Sequence, residues 1–378
     1  MRVLISGGGT GGHINPALAI AGMIKENYKD SVIEYVGTKR GLETKLVPRE
    51  GYKLHTVKVR GFQRSLSPVN IDAAIKAVTS VWEAKKIIKE FKPDIVIGTG
   101  GYVCWPVLKA AAKMGIPTAV HEQNAVVGMT VKMLSKYVDK IMISFEESRA
   151  LFDCPEKLVL TGNPVKSEML RQNANESRKK LGLDESTPMI LSYGGSLGAL
   201  KINENVLGVI ESFSEKKDVY HIHATGRGAW QEIKAKLLER GYTDNGDYVT
   251  KGKVTVREYI YDMPVLLSAS DIVISRAGAM TIAELSAMGK AAVMIPSPNV
   301  TNNHQFKNAS VLAKAGAAVL IEEKNLTPEV LAKELECLIS DKARLDSIKT
   351  NVRQFAVEDS LERVDKVIKE LLPSKNEG

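Results

Sequence analysis

The chain has 378 residues, enough for two domains of ordinary size, and 44% of them are hydrophobic while 25% are charged. This composition excludes a largely disordered chain. The formal net charge of +8 is compatible with nucleic acid, an anionic membrane or phosphorylated substrates as partners, and does not choose among them. The three cysteines are scattered and form no C-x-x-C pair, which argues against a disulfide framework and a zinc site.

The chain begins with a short apolar segment that runs straight into glycines, so we expect a first strand there and no signal peptide. No apolar run approaches the roughly 18 residues that a membrane span needs. If the protein works at a membrane, we therefore expect it to lie on the surface.

Short apolar, β-branched runs alternate with amphipathic helical stretches along the chain, which predicts doubly wound α/β sheets. Most runs are continuously apolar, as expected for parallel strands that are buried on both faces. The clearest strand candidates are Val3–Ser6, Val32–Val36, Asp94–Ile97, Thr118–His121, Met189–Tyr193, Tyr220–Ala224, Asp271–Ser275 and Ala291–Ile295.

A strand–glycine turn–helix unit occurs twice, about half a chain apart. The first glycine turn is Gly7–Gly12, and the second is Gly194–Ala199. We predict two Rossmann-like domains, 1–163 and 164–345, because turn residues at Thr161–Pro164 follow a short strand. We expect the helices within residues 346–378 to pack back toward the first domain.

The glycine turns suit phosphate binding, because they let backbone N–H groups approach an anion while the following helix N-terminus adds about half a positive charge. A third loop, Gly98–Tyr102, follows another predicted strand. Ligands of open α/β sheets bind beyond the carboxyl ends of the strands. We therefore expect the three loops to line an interdomain cleft that holds two pyrophosphate-sized anions, one per domain.

Two other interpretations of the first glycine loop stay open. The spacing Gly7-x-Gly9-x-x-Gly12 also fits a nicotinamide dinucleotide site, but the second strand of such a site ends in an acidic residue. Here the second strand leads into Gly37 and Thr38 instead. The loop could also be a tight turn that binds nothing, although adjacent glycines cost backbone entropy that a plain turn need not incur.

Polar residues also follow the late strands. Arg276 comes directly after a predicted strand, where it would face a phosphate, and Glu284 in the next helix could accept hydrogen bonds from ribose hydroxyls. The amides and imidazole of Asn302–Gln305 suit the hydroxyls of a sugar, although helix capping explains one of them equally well. The alternative is an exposed arginine and a solvated glutamate.

His13 is the best candidate for a general base. It follows the first glycine loop at the start of a helix, whose dipole favours the neutral imidazole that a base needs. A capping or core histidine is the alternative. His121–Asn124 forms another polar cluster at a strand end, whereas His221 and His223 alternate on one strand and are interpreted as structural.

The sequence contains no D-x-D motif, with which many sugar transferases hold a metal ion, and we expect no metal. A helix N-terminus and Arg276 would instead stabilise a departing pyrophosphate. Removing one such donor typically lowers the rate by about 10²–10³-fold.

A helix over residues 71–92 has an apolar stripe and a basic end, which fits shallow contact with anionic lipid. The alternative is an ordinary domain helix whose stripe is core and whose lysines are solvated. The stripe is Ile71, Ile75, Val78 and Trp82, and the basic residues are Lys85, Lys86, Lys89 and Lys92.

Six motifs in this order together resemble the MurG family, the bacterial undecaprenyldiphospho-muramoylpentapeptide β-N-acetylglucosaminyltransferases. The resemblance covers nearly the whole chain, and the set is far more specific than any single motif. The motifs are Gly7–His13 (GGGTGGH), Gly100–Tyr102 (GGY), His121–Asn124 (HEQN), Thr161–Val165 (TGNPV), Gly194–Ala199 (GGSLGA) and Arg276–Thr281 (RAGAMT).

The resemblance implies a GT-B fold, with two Rossmann-like doubly wound parallel-sheet domains that face a cleft and a C-terminal helix that returns to the first domain. It implies inverting, metal-independent transfer of N-acetylglucosamine from UDP-N-acetylglucosamine to the C4 hydroxyl of MurNAc in lipid I, which gives lipid II. It further implies work at the cytoplasmic face of the membrane, with no cofactor and no nucleic acid partner.

On the donor side, the resemblance implies that the loop around Ser196 holds the pyrophosphate with Arg276 nearby. Ile260 would contact the uracil through its backbone and Glu284 would bind the ribose. Gln305, with His304 beside it, would read the sugar hydroxyls. Two further residues, Ala279 and Met280, belong to the implied substrate-binding set.

On the acceptor side, the resemblance places Thr10, Gly11 and Gly12 at the sugar and the acceptor pyrophosphate. Asn124 would lie across the cleft. Tyr102 also belongs to the substrate-binding set. His13 is the candidate for the base, with Glu122 second, and general-base help is worth about 10²–10⁴-fold.

Two positions depart from the family pattern. The family often has arginine where this chain has Lys166, and lysine supplies a point charge in place of a fork, which puts its contact with the donor in doubt. Many members have glutamine where this chain has His304, so either His304 or Gln305 reads the sugar. An epimerase of UDP-N-acetylglucosamine with the same two-domain shape, and a glycolipid transferase with another acceptor, remain the competing hypotheses.

Overall fold

The computed structural model describes residues 1–59, 69–195, 198–300 and 303–372, with the backbone alone at 69–78, and contacts divide the chain into two units. The first unit is Met1–Ser167 with Val357–Gly378, and the second is Glu168–Ala356. Each unit is a sheet covered by helices, so the predicted fold of two α/β domains is confirmed.

The first unit contains a seven-stranded sheet in the order β3-β2-β1-β4-β5-β6-β7, in which all neighbouring strands are parallel. Its central strands are buried on both faces, which explains their continuous apolar sequences. The strands are β1 (Arg2–Ser6), β2 (Val32–Gly37), β3 (Lys53–Thr56), β4 (Ile95–Gly98), β5 (Thr118–Glu122), β6 (Lys140–Ile143) and β7 (Leu158–Leu160).

Helices cover both faces of the first sheet. One core includes residues of α1, of β1 and of the last helix, and the other includes residues of α3, α4 and α5. The helices of this unit are α1 (Gly11–Asn27), α2 (Glu43–Arg49), α3 (Val69–Phe91), α4 (Cys104–Lys113), α5 (Met129–Leu134) and the last, α15 (Ser360–Leu371).

The second unit contains an eight-stranded sheet in the order β10-β11-β12-β9-β8-β13-β14-β15. Its strands from β12 to β15 in this order are parallel, and β10 and β11 add an antiparallel edge. The strands are β8 (Met189–Tyr193), β9 (Tyr220–Ala224), β10 (Thr243–Asp244), β11 (Tyr248–Lys251), β12 (Val254–Arg257), β13 (Ile272–Ser275), β14 (Ala291–Met294) and β15 (Val319–Leu320).

Helices of the second unit pack on its sheet, and an apolar core combines side chains of the sheet with those of α8, α9, α13 and α14. The helices of this unit are α6 (Ser167–Leu170), which begins at the boundary, α7 (Ala174–Lys180), α8 (Leu200–Lys217), α9 (Trp230–Glu239), α10 (Met263–Ala269), α11 (Ala279–Met288), α12 (His304–Lys314), α13 (Pro328–Ser340) and α14 (Lys342–Arg353).

The last two helices pack on different units. Helix α14 packs against α11, α13 and β14, whereas α15 packs against α1. On α15, Val364 and Ile368 join the apolar core of the first unit, and Tyr28 donates a hydrogen bond to Asp365 over 2.9 Å. The return of the chain to the first unit is therefore carried by α15 alone, and the functional roles predicted for 1–163, 164–345 and 346–378 stay predictions.

Candidate active site

Two glycine loops of the first unit touch each other at the carboxyl ends of the adjacent strands β1 and β4. Gly8 N donates to Gly100 O over 3.3 Å. Gly101 has a φ of +82°, and a Cβ built there would lie 2.4 Å from Gly8 O. The two loops therefore form one surface, because no side chain fits between them.

The N-terminus of α1 opens onto this surface. Thr10 is the N-cap, is exposed, and makes no side-chain capping bond, and the first turn of the helix carries no acidic residue. The backbone N–H groups at Gly11 and Gly12 come before the first helical hydrogen bonds. The helix end thus offers a hydroxyl, amide donors and a positive partial charge to an anion.

His13 lies against the Gly98–Tyr102 loop. Its Nδ1 is 3.0 Å from Thr99 O and 3.0 Å from Gln123 Oε1. A Cβ at Gly100 would meet the ring at 2.6 Å, so glycine there makes room for the imidazole. The ring is half-buried.

Glu122, the second candidate base, uses its carboxylate on its own loop. Oε1 accepts from Asn124 N over 3.0 Å and from Asn124 Nδ2 over 3.2 Å, and Oε2 accepts from Gly128 N over 2.8 Å. The side chain is buried. This geometry favours a loop-organising role for Glu122, and it orients the amide of Asn124.

The second glycine loop joins β8 to α8 in the second unit. Ser196 lies outside the described residues. Gly195 and Gly198 have φ of +92° and +84°, and Gly198 N donates to Gly195 O over 2.9 Å. A Cβ at Gly198 would lie 2.2 Å from Thr225 O, so the loop packs tightly on the end of β9.

Arg276 directly follows β13, and its guanidinium already contacts two protein groups. Its Nη1 donates to Ile295 O over 3.1 Å, and its Nη2 lies 2.5 Å from Glu323 Oε2. The pKa of Lys201 is raised mainly by its partner Glu204 and to a smaller extent by the charge of Glu323. Glu323 therefore lies near Lys201, at the start of α8. Arg276 can reach a phosphate only with the remaining N–H groups of its guanidinium.

The residues predicted around the nucleoside lie at the same end of the second sheet. Ala279 and Met280 are the first two residues of α11 and both are buried. Glu284, one turn further on, is half-buried, and its charge adds to burial in raising the pKa of Tyr193 at the end of β8. Ile260 is buried, and it lies in the segment of the chain that connects β12 to α10.

Helix α12 begins with the two candidates for reading the sugar. Both His304 and Gln305 are half-buried in its first turn. Gln305 Oε1 accepts from Ser297 N over 2.9 Å, so its amide NH₂ points away from Ser297.

The remaining predicted residues belong to the first unit. Lys166 lies 2.5 Å from Glu50, so its charge is already paired there. Tyr102 is 63% exposed beside the two glycine loops of the first unit.

Comparison with known proteins identifies the family. The family 28 glycosyltransferase N-terminal domain matches residues 3–143, and the family 28 C-terminal domain matches residues 189–364. A UDP-N-acetylglucosamine–N-acetylmuramyl-(pentapeptide) pyrophosphoryl-undecaprenol N-acetylglucosamine transferase of Acetivibrio thermocellus is 45% identical over 378 residues, which is 100% of both chains. The crystal structure of Acinetobacter baumannii MurG matches with 27% identity and a TM-score of 0.70 over 98% of this chain and 99% of that one. The chain belongs to the MurG family of glycosyltransferases.

Membership in the MurG family confirms the resemblance found in the sequence motifs. A putative UDP-N-acetylglucosamine 2-epimerase from Listeria monocytogenes has a similar structure, with a TM-score of 0.68 over 98% of this chain and 96% of that one. Its identity is 16%, so this likeness shows the fold alone. The chain thus shares its fold with epimerases, whereas it shares 45% sequence identity over its full length with the transferase.

Three residues around these MurG-family sites were not assigned roles by sequence reasoning. Glu43 is buried beneath the first glycine loop and accepts from Gly9 N over 3.2 Å, and also from Thr38. Gln123 bonds His13, and Glu323 pairs with Arg276. A sequence signal existed only for Gln123, which lies within the HEQN motif.

In the described part of the chain, no three His, Cys, Asp or Glu side chains come together as a candidate metal site. The predicted independence from a metal ion stays a prediction. Across residues 1–59, 69–195, 198–300 and 303–372, we find no helix with the length and apolarity to cross a bilayer.

Proposed function

We propose that the chain transfers N-acetylglucosamine from UDP-N-acetylglucosamine to the C4 hydroxyl of MurNAc in lipid I, which gives lipid II for peptidoglycan synthesis. The observation that carries this function is the 45% identity, over 100% of both chains, with the transferase of that name from Acetivibrio thermocellus. The contacts around His13 and around the second glycine loop supply the chemistry.

The first unit would bind the acceptor. The diphosphate of lipid I would lie on the N-terminus of α1, where Thr10 supplies a hydroxyl and Gly11 and Gly12 supply amides. His13 stands at the same helix end, within reach of a sugar hydroxyl held there. Tyr102 and Asn124, which border this surface, would contact the acceptor.

The second unit would bind the donor. The loop Gly194–Ala199 and the N-terminus of α8 would hold the pyrophosphate, with Ser196 and Arg276 beside it. Ile260 would meet the uracil through its backbone. The nucleoside and sugar would be completed by Ala279, Met280, Glu284, His304 and Gln305.

The reaction is a single displacement. The C4 oxygen of MurNAc forms a bond to the anomeric carbon of N-acetylglucosamine as the bond from that carbon to the pyrophosphate oxygen breaks. The anomeric configuration inverts, and UDP leaves with the electron pair of the broken bond. His13 Nε2 takes the proton of the C4 hydroxyl, and the N-termini of helices α8 and α11 in the second unit stabilise the charge on the departing diphosphate.

Transfer in EDTA tests this function. We expect label from UDP-N-acetylglucosamine to enter a lipid I analogue at the same rate with and without EDTA. No label in lipid under either condition would contradict the function, and activity lost only in EDTA would contradict metal independence. In the absence of acceptor, a new UDP-sugar would favour the epimerase, because a transferase forms none.

The first unit carries a surface suited to anionic lipid. Trp82 on α3 is 71% exposed, and Lys85 Nζ lies 5.5 Å from the centroid of its indole ring. Lys86 and Lys89 follow on the same helix. Tryptophan with lysines is typical of interfacial helices, so we propose that this helix contacts the cytoplasmic face of the bacterial membrane. The stripe residues Ile71, Ile75 and Val78 lie where the structure describes only the backbone.

A groove of about 360 Å³ on the same unit has the same character. It is lined by Trp105, Met133 and Tyr137 together with Lys132 and Lys136. Helix α4, which carries Trp105, packs on α3 and on α5. Apolar and basic side chains thus extend from α3 across its neighbours, as a membrane-facing surface requires.

Vesicle binding tests the membrane surface. We expect the protein to sediment with phosphatidylglycerol vesicles more strongly than with phosphatidylcholine vesicles, because the lysines are attracted to anionic headgroups. Trp82→Ala should weaken binding by about fivefold, since one interfacial anchor is lost. Leu238→Ala, which removes an exposed apolar side chain from the second unit, is the matched control. Equal binding by both variants would place the membrane surface elsewhere.

A further inference from the structure

A chain of hydrogen bonds connects the carbonyl of Gly162 to the ring of His13. His121 Nε2 lies 2.9 Å from Gly162 O, and His121 Nδ1 lies 2.9 Å from Gln123 Nε2. Gln123 Oε1 lies 3.0 Å from His13 Nδ1. His121 and Gln123 are both buried, at 0% and 2% exposure, so this relay is shielded from water.

The backbone carbonyl at one end fixes the proton positions along the relay. Gly162 O can only accept, so His121 carries its proton on Nε2 and presents a lone pair at Nδ1. The lone pair at Nδ1 accepts a hydrogen bond from the NH₂ group of Gln123. The other end of the amide, Oε1, therefore faces His13. His13 must then carry its proton on Nδ1.

The consequence for His13 is a basic Nε2. Its Nδ1–H is shared between Gln123 Oε1 and Thr99 O, both acceptors, and no residue in the described part of the chain bonds Nε2. Thr99 O also accepts from Gln123 Nε2 over 2.9 Å, which holds the amide in the same orientation. The nitrogen that a base needs is thus left unprotonated and available.

We propose that Gln123 is a positioning residue for the transfer reaction, which holds His13 in the Nδ1–H tautomer while His121 fixes the orientation of the Gln123 amide. This inference rests on the proposed function, in which His13 accepts the proton of the acceptor hydroxyl. Neither Gln123 nor His121 touches substrate in this role.

His121 is suited to its place because it stays neutral. Burial is the main cause that lowers the pKa of His121 to about 4, and the nearby His13 lowers it further. The hydrogen bond to Gly162 acts in the opposite direction, because it favours the charged form. Above that pH, His121 holds one proton and its Nδ1 can accept. The relay is therefore intact throughout the neutral range.

The other titratable groups around the relay do not compete for the His13 proton. Burial raises the pKa of Cys104 to about 11 and that of Tyr35 well above its usual value, so both stay protonated. Glu122 and Glu43 turn their carboxylates to other groups, which include backbone N–H groups at Gly128 and Gly9. These groups lie on α4, β2, β5 and α2, the elements packed around the loops.

Imidazole ¹⁵N chemical shifts test the tautomers without activity. We expect His13 to show the Nδ1–H form and His121 the Nε2–H form at neutral pH, each assigned by loss of its signals in His13→Ala or His121→Ala. Opposite tautomers in two histidines of one chain are not expected from solvent exposure alone. The Nε2–H form at His13 in the full chain would overturn the inference.

Kinetics of two Gln123 variants test the positioning role. Gln123→Met keeps the volume and removes both amide functions, and we expect kcat to fall about 10- to 100-fold while KM for UDP-N-acetylglucosamine stays within about twofold. The loss is limited because Thr99 O still holds the Nδ1 proton. Gln231→Met, on the exposed face of α9, is the matched control and should match the unsubstituted protein.

Gln123→Glu gives a readout that a purely structural glutamine would not. A carboxylate beside the His13 Nδ1–H favours the protonated ring, so the acidic limb of the kcat/KM profile should move up by about one pH unit. It also cannot donate to His121, whose ¹⁵N shifts should change. An unmoved acidic limb would overturn the inference even if Gln123→Met failed to fold.

The two failures are distinguishable. If the unsubstituted protein transfers no label to a lipid I analogue, the proposed function fails. If it transfers label and both Gln123 variants keep its kcat and its pH profile, only the positioning role of Gln123 fails.

Discussion

His13→Ala is expected to lower kcat by about 10²–10⁴-fold while UDP binds as tightly as to the unsubstituted protein. The loss follows because Nε2 of this ring is the unprotonated nitrogen at the helix end where the acceptor hydroxyl would lie. UDP affinity should be kept because the residues proposed to bind UDP belong to the other unit. Label transfer to a lipid I analogue measures kcat, and titration calorimetry measures the affinity for UDP.

His55→Ala is the matched control for this substitution. His55 lies on β3 of the same unit and pairs with Glu34, away from the glycine loops, so its loss should leave kcat unchanged. A greater loss of turnover in Glu122→Gln than in His13→Ala would transfer the role of base to Glu122. Unchanged turnover in His13→Ala would remove His13 from the mechanism.

The fold was predictable because each strand is a local signal. All eight strand candidates form strands, and their ends lie within one residue of the prediction. Seven other strands were not among the eight candidates. Strands β3, β10, β11, β12 and β15 are short or partly exposed and lack a continuous apolar run, whereas β6 and β7 have only four and three residues: the seven are β3, β6, β7, β10, β11, β12 and β15. Periodicity and turn residues determine which segment is a strand, and parallel strands bring their carboxyl ends to one edge.

The partners of the site residues were not predictable, because they are distant in the chain. His13 and Gln123 are 110 positions apart, and a pattern in either segment says nothing about the other. The sequence places Arg276 at a strand end, but its pairing with Glu323 depends on how the segment after β15 packs. Local patterns therefore predicted which residues reach the edge of the sheet, and packing decided which protein groups each of them contacts.

The position of the buried Glu43 was also not predictable from the local sequence. Glu43 was not expected near the first glycine loop, because the sequence places it beyond the end of β2, in α2. The chain turns back after Thr38, and the carboxylate reaches Gly9 N. As predicted, no acidic residue stands directly at the end of β2. The carboxylate of Glu43, from the following helix, nevertheless lies under the first glycine loop.

Gly198→Ala is expected to weaken UDP binding on the order of 100-fold, which corresponds to about 2.8 kcal/mol. The added Cβ would lie 2.2 Å from Thr225 O, and the next closest atom, Gly226 Cα, is at 3.2 Å. These are backbone atoms at the end of β9, so they cannot rotate away as a side chain does. The glycine loop must move off the sheet, and its amides then no longer converge on a diphosphate.

Gly241→Ala separates this close approach from the cost of the left-handed backbone. Gly241 has a φ of +82°, nearly the +84° of Gly198, but a Cβ there meets nothing within 4 Å. Both variants should lose about 1–2 kcal/mol of stability from the conformation of the new alanine. Only Gly198→Ala should also lose UDP in titration calorimetry, because only its side chain displaces the loop. Equal UDP affinity in the two variants would mean that the diphosphate is held by other groups, and the donor site would then have to be sought away from the start of α8.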